Sequence, residues 1–276
     1  MEQLSATPSM EIKIEKLTKL YSRVCSSFFA VYLIFICCVL LDSEKALADE
    51  VNVAVASNFK STLNKISADF KLATGHDLKI SSASSGKLFA QIKHGAPYDV
   101  FLSADEKHPD LLIRNKAANS ENAYVYALGK LVLISNIEIN NDCKNAINSN
   151  RLKHLAIANP EIAPYGMAAK QVLQKLGLWQ QLQPRIVMGE NVAQTLQFVA
   201  TKNADAGFVA QSLLNRGNII DRVCSWHVPA EMHTPIKQKM VLLKKAKGKP
   251  AALTFIQYMQ SAAVKEIIKS SGYDVL

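Results

Sequence analysis

A strand, a polar turn and a helix follow one another repeatedly through the chain, and this rhythm restricts the fold more than any other feature. Residues 51–55 (Val-Asn-Val-Ala-Val) alternate as a strand and end in Ala56-Ser57-Asn58. Phe59, Leu63, Ile66, Phe70 and Ala73 then recur at intervals of 4, 3, 4 and 3, which places them on one helix face. Gly75 stands where a left-handed C-cap would stop that helix. The second unit is a strand at 78–80, a hydroxyl-rich turn at 81–86 and a helix at 87–94 ended by Gly95. A third has a strand at 155–158, a turn at 159–164 and a helix from Tyr165. The fourth has a strand at 185–188, the turn Gly189-Glu190-Asn191, and a helix carrying Val192, Leu196 and Val199. Alternating β and α elements imply a mostly parallel sheet with both faces covered by helices. In such sheets ligands sit beyond the carboxyl ends of the strands, where all four turns lie.

Between these units, residues 99–103 read as a buried strand and 104–113 as the start of a further helix. Residues 124–135 form an extended, mainly apolar run that is long for one strand of a single sheet, so it reads as a segment crossing between two lobes. Residues 206–210 are a buried strand, and 240–243 a late strand preceded by Pro235. Pro250 at the first helical position opens a C-terminal helix, where its missing N–H costs nothing. The expected fold is therefore α/β and two-lobed, each lobe a mostly parallel sheet flanked by helices, with a cleft between them. Two crossover segments join the lobes. The expected division is 49–130 with 236–276 for lobe one, and 131–235 for lobe two.

The N-terminus has its own pattern. Residues 28–41 are an unbroken apolar run of 14, short of the roughly 20 that span a bilayer. Ala46-Leu47-Ala48 follows as a small-x-small cleavage pattern. Residues 1–48 read as a secretory signal peptide cut after about Ala48, with an uncleaved anchor as the alternative. Cys37 and Cys38 lie within the apolar run, which leaves Cys143 and Cys224 as the only cysteines beyond it. An exported pair can persist as a disulfide, although spacing alone does not show that the two meet. The first 48 residues hold five basic and five acidic residues, so the net charge of +9 belongs to the remainder. A basic balance concentrates anions near the surface. Basic residues are not clustered with aromatics, which argues against a nucleic-acid partner.

Ser57 or Asn58, and Ser84 or Ser85, fall at helix N-termini, where unpaired N–H groups and the positive dipole end attract an anion. Capping alone also explains Ser and Asn there. Tyr165-Gly166 and Asn191-Val192 begin the helices of the later units. Together these turns would direct neutral N–H and O–H donors from both lobes at one point. Such donors suit a divalent anion that carries no proton. Ser84-Ser85-Gly86-Lys87 fits the Ser-x-x-Lys spacing of some serine hydrolases, but the companion motifs are missing. The six His residues show no metal-ligand spacing. No catalytic residues, metal ligands or cofactor are expected.

These residues carry a resemblance. Ala56-Ser57-Asn58-Phe59, Ala83-Ser84-Ser85-Gly86, the stretch from Gly95-Ala96-Pro97 to Ser103-Ala104-Asp105, Ala163-Pro164-Tyr165-Gly166 and Gly189-Glu190-Asn191-Val192 resemble the periplasmic molybdate-binding proteins of ABC transporters. The resemblance implies a hinge-closing, two-lobed protein that is not an enzyme. It would bind molybdate or tungstate, as the intact oxyanion, through hydroxyls and backbone N–H groups. Carried over by motif, the ligand residues are Ser57, Asn58, Ser85, Tyr165 and Val192. Ser57 and Ser85 would give hydroxyls and N–H groups, and Asn58, Tyr165 and Val192 backbone N–H groups. One branch of the family adds a Tyr hydroxyl where this chain has Ala210. The implied partners are an ABC permease and its ATPase, the implied location the periplasm, and the implied state a monomer. Sulfate or another tetrahedral oxyanion remains an alternative ligand, and a serine hydrolase using Ser84 or Ser85 with Lys87 an alternative class.

Overall fold

In a computed structural model of the chain, residues 49–137, 143–214 and 224–276 are described. The proposed signal peptide lies outside them. The first βα unit is β1 (Glu50–Ala56) followed by α1 (Lys60–Thr74), and the second is β2 (Asp77–Ala83) followed by α2 (Ser85–Lys93). Next come β3 (Val100–Leu102), α3 (Lys107–Arg114) and β4 (Ala118–Gly129). After a single residue, Lys130, the chain enters β5 (Leu131–Ser135). The later units are β6 (Leu155–Ala158) with α4 (Pro164–Lys175), the short α5 (Trp179–Leu182), then β7 (Ile186–Gly189) with α6 (Val192–Ala200) and β8 (Ala206–Ala210). The chain closes with β9 (Cys224–His227), β10 (Ile236–Leu243), α7 (Pro250–Tyr258) and α8 (Ala262–Ser270).

Two five-stranded sheets result, ordered β2-β1-β3-β10-β4 and β7-β6-β8-β5-β9. The two follow one plan. In each, three neighbouring strands run parallel and the last two join through antiparallel pairs, so that only β10 in the first sheet and β5 in the second run against the rest. The long extended run is divided: β4 belongs to the first sheet and β5 to the second, so it crosses at Lys130. The chain returns from β9 to β10, and Ile236 pairs with Gly129 beside the outward crossing.

Register places the turns. Ala56 pairs with Ala83, so the Ser57 and Ser84 turns leave the first sheet side by side. Ala158 pairs with Gly189, which does the same for the Asn159 and Glu190 turns of the second. Side chains along β1 alternate between faces, as a strand requires. Val51, Val53 and Val55 pack with Phe59, Leu63, Ile66 and Phe70 of the first helical unit, and Ala54 packs on the other side with Leu88 and Leu112. Phe59, Leu63, Ile66 and Phe70 are each fully buried, so they mark the core-facing side; Ala73, expected on the same face, is exposed in the last turn of the helix. Gly75 ends α1 at φ 77°, the left-handed conformation expected of it.

Three details differ from the sequence reading. The turn expected at 81–86 shrinks to Ser84, because α2 begins at Ser85 and β2 pairs with β1 as far as Ala83. As an edge strand it leaves Ser81 and Ser82 half-buried, where hydroxyls are tolerated. The strand β9 and the helix α8 were not foreseen; α8 begins where the Ser261 hydroxyl accepts a hydrogen bond from Val264 N–H at 3.3 Å. Cys143 and Cys224 are joined as a disulfide, with their Cα atoms 5.4 Å apart.

Candidate functional site

Four helix starts meet at one small cavity. Its wall comprises Ala56, Ser57, Asn58, Ser84, Ser85, Ala104, Ala163, Pro164, Tyr165, Asn191 and Val192. All five residues expected to bind ligand are among them. Residues 56–58 lead into α1, Ser84 and Ser85 open α2, Ala163 to Tyr165 open α4, and Asn191 and Val192 open α6. Two of these helices follow strands of the first sheet and two follow strands of the second. About 10 Å³ is open to the centre of a water-sized sphere, roughly the room of one such sphere. No charged side chain stands in the wall. The positive field is that of the helix dipoles and of N–H groups in first turns.

Hydrogen bonding shows which donors remain for a ligand. Ser57 N–H is committed to the Ala83 carbonyl at 3.0 Å, continuing the β1–β2 ladder, so this residue offers its hydroxyl and not the N–H the resemblance implies. Among the described residues, no hydrogen bond takes the N–H groups of Asn58, Ser85, Tyr165 or Val192. Tyr165 is the first residue of α4 with an N–H to give, because Pro164 at the preceding position has none. Ser85 Oγ accepts from Ala104 N–H at 2.9 Å, which leaves the hydroxyl proton to be donated elsewhere. Asn191 is a plain N-cap, its Oδ1 accepting from Ala193 and Gln194 N–H at 3.1 Å each. That carbonyl is therefore already occupied as an acceptor.

Asn58 is not a cap. The N-cap of α1 is Phe59, and the Asn58 amide instead donates to Gln238 Oε1 at 2.9 Å and to Tyr273 Oη at 3.0 Å. Its carbonyl accepts from Tyr273 Oη at 2.9 Å and from Ser212 Oγ at 3.2 Å. Gln238, on the returning crossover strand β10, donates to Tyr165 Oη at 3.3 Å. A buried polar network thus ties the Ser57-Asn58 turn to the crossover and to the start of α4. Burial raises the hydroxyl pKa of both Tyr165 and the nearby Tyr126 well above the ordinary value. Gln238 and Tyr273 were not singled out from sequence, since each lies about 180 or more residues from Asn58 and no local spacing relates them.

The two sides are closed on each other. Gly86 N–H donates to the Ile162 carbonyl at 2.9 Å, and Lys87 Nζ lies 2.7 Å from Glu190 Oε1. Ala56 and Ala104 pack into the same apolar cluster as residues of the second sheet. A second hollow of about 270 Å³ adjoins the cavity and shares Ala104, Ala163 and Pro164 with it. Its lining mixes the ionisable side chains of Asp105, Lys107, His108 and Glu161 with Met167, Pro235 and Ile236, whereas all four helix starts converge on the smaller space. The Lys87–Glu190 pair also bears on the hydrolase alternative. Lys87 faces the opposite lobe, and among the described residues Ser84 Oγ has no hydrogen-bond partner, so no base stands beside it. Ala210, where one branch of the resembled family places a Tyr hydroxyl, is fully buried and brings no side-chain polar atom.

A family profile described as bacterial extracellular solute-binding protein matches residues 51–274. The chain belongs to that family. Molybdate-binding protein ModA of Azotobacter vinelandii is 42% identical over 229 residues, 83% of this chain and 91% of the relative. ModA of Rhodobacter capsulatus is 40% identical over 230 residues, 83% and 89% of the two chains. The solved structure of the A. vinelandii periplasmic molybdate-binding protein aligns with a TM-score of 0.76 at 39% identity, covering 82% of this chain and 99% of that one. The two-sheet architecture with flanking helices is the two-lobed binding-protein fold of that relative.

Proposed function

We propose that the protein is a periplasmic substrate-binding protein that captures molybdate or tungstate and delivers it to an ABC-type importer. The convergence of four helix N-termini, two from each sheet, on one small cavity carries the reading. Relatives at 40% and 42% identity that bear the name molybdate-binding protein support the choice of ion. Ser57 and Ser85 would donate hydroxyl protons, and Asn58, Ser85, Tyr165 and Val192 backbone N–H groups. Preformed neutral donors hold a divalent anion well where water is excluded, because hydrogen bonds to a charged group are the strong ones. Sulfate has the same charge and shape but is smaller, and would not reach donors from both sides together.

The ion is held as the intact oxyanion, with no cofactor and no chemical step. Residues 49–130 with 236–276 would form one lobe and 131–235 the other, closing about the crossover strands. Closure buries the ion and creates the surface that the permease and its ATPase respond to. The protein would act as a monomer, without nucleic acid, after export and removal of a signal peptide near Ala48. A ligand that binds only the folded state raises the unfolding midpoint by mass action. The test is a thermal melt with molybdate, tungstate, sulfate and phosphate in turn. Upward shifts with molybdate and tungstate alone support the reading. A shift with sulfate would replace the ion, and no shift with any of them would refute the function.

A further inference from the structure

Ser84 is the one cavity residue whose side chain has no explained role. It is 3% exposed, stands in the cavity wall, and among the described residues its hydroxyl meets no hydrogen-bond partner. Burying a hydroxyl without a partner is unfavourable, so a conformation that keeps it there calls for a reason. Capping does not supply one. Ser84 occupies the N-cap position of α2 with extended backbone, φ −67° and ψ 152°, yet its side chain caps nothing. The N–H that an N-cap hydroxyl would often receive, that of Gly86, is donated across the cleft to the Ile162 carbonyl. Catalysis does not supply one either, since Lys87 pairs with Glu190. Register adds a geometric argument: the Ala56–Ala83 pair brings Ser84 beside Ser57, at the same edge of the first sheet.

We propose that the Ser84 hydroxyl is a further ligand contact, donating to one oxygen of a tetrahedral dianion held in this cavity. The proposal rests on the oxyanion-binding function above and adds a donor that motif carry-over did not assign. It also offsets the hydroxyl missing at Ala210. Both neighbouring serines are already placed: Ser57 holds the ladder through its N–H, and Ser85 is oriented by Ala104 N–H. Ser84 is free to turn its proton toward whichever ligand oxygen lies nearest.

Ligand contact and structural support differ in the sign of their effects, so Ser84→Ala separates them. Removing an unpaired buried hydroxyl leaves the ligand-free protein as stable as before or more so. Removing a donor to a charged group weakens binding by about 10- to 100-fold. The experiment measures sodium molybdate affinity by titration calorimetry, and the ligand-free unfolding midpoint, for wild type and Ser84→Ala. The expected result is an unchanged or raised midpoint together with the weaker affinity. Wild-type affinity in the variant would overturn the proposal while leaving the function intact. A lowered ligand-free midpoint with unchanged affinity would overturn it in favour of a structural role. Failure of wild type itself to bind molybdate would overturn the function, and this proposal with it.

Discussion

Gly86 sits at a backbone contact between the two lobes, and a single methyl group there tests whether closure and binding are one event. A Cβ at Gly86 would lie 2.9 Å from Ile162 Cα and 3.0 Å from its Cβ and carbonyl oxygen. Carbon contacts are comfortable at about 3.5–4.0 Å, so the α2 start and Ile162 would have to part by roughly 0.6 Å or more. Backbone atoms cannot swing aside as a flexible side chain can. Forced overpacking costs about 1–3 kcal/mol, and stretching the Gly86–Ile162 hydrogen bond adds about 1 kcal/mol. This penalty of about 2–4 kcal/mol falls on the closed form, and an open form with the lobes parted escapes it. At about 1.4 kcal/mol per tenfold, Gly86→Ala should weaken molybdate binding by roughly 30- to 700-fold. Titration calorimetry reads the affinity, and X-ray scattering with and without molybdate reads compaction. The ligand-free midpoint should stay near that of wild type. Unaltered affinity, or a ligand-free midpoint that falls in step with it, would refute the reasoning.

Other outcomes follow from the same geometry. Ser57→Ala with Ser85→Ala removes two hydroxyl donors and leaves Ala104 N–H unpaired, so molybdate affinity should fall by at least about 100-fold in a titration. Alkaline pH should destabilise the fold: the raised hydroxyl pKa values of Tyr124, Tyr126 and Tyr165 mean the folded state keeps protons that the unfolded chain loses above about pH 10. Stability present below that pH should then decline by up to about 4 kcal/mol per unit, three tyrosines at about 1.4 each, as denaturant titrations between pH 9 and 11 would show. The Cys143–Cys224 bond closes a separation of 81 residues, for which chain entropy estimates about 4.5 kcal/mol. Replacing both with Ser should lower the midpoint yet leave molybdate affinity unchanged, because neither residue lines the cavity.

Local information was enough for most of the elements, though not for β9 or α8. Apolar spacing fixed the buried face of α1, and Gly75 and Pro250 marked a helix end and a helix start. Strand–turn–helix order put every candidate turn at the carboxyl end of a strand, because a parallel arrangement leaves it nowhere else. That pattern left Ser57 or Asn58, and Ser84 or Ser85, open; the set Ser57, Asn58, Ser85, Tyr165 and Val192 came from the family resemblance carried over by motif. What each contributes was decided by partners distant in the chain. Sheet register committed Ser57 N–H to Ala83 and carried β2 past its expected end. The crossover strand brought Gln238 to Asn58 and so turned an apparent cap into part of a buried network that reaches Tyr165 at the start of α4. Close approach of Ile162 took Gly86 N–H and left Ser84 as a capping residue that caps nothing. A sequence determines which groups are able to donate; only tertiary packing determines which donors are already taken, because a buried N–H pairs with whatever acceptor the fold delivers.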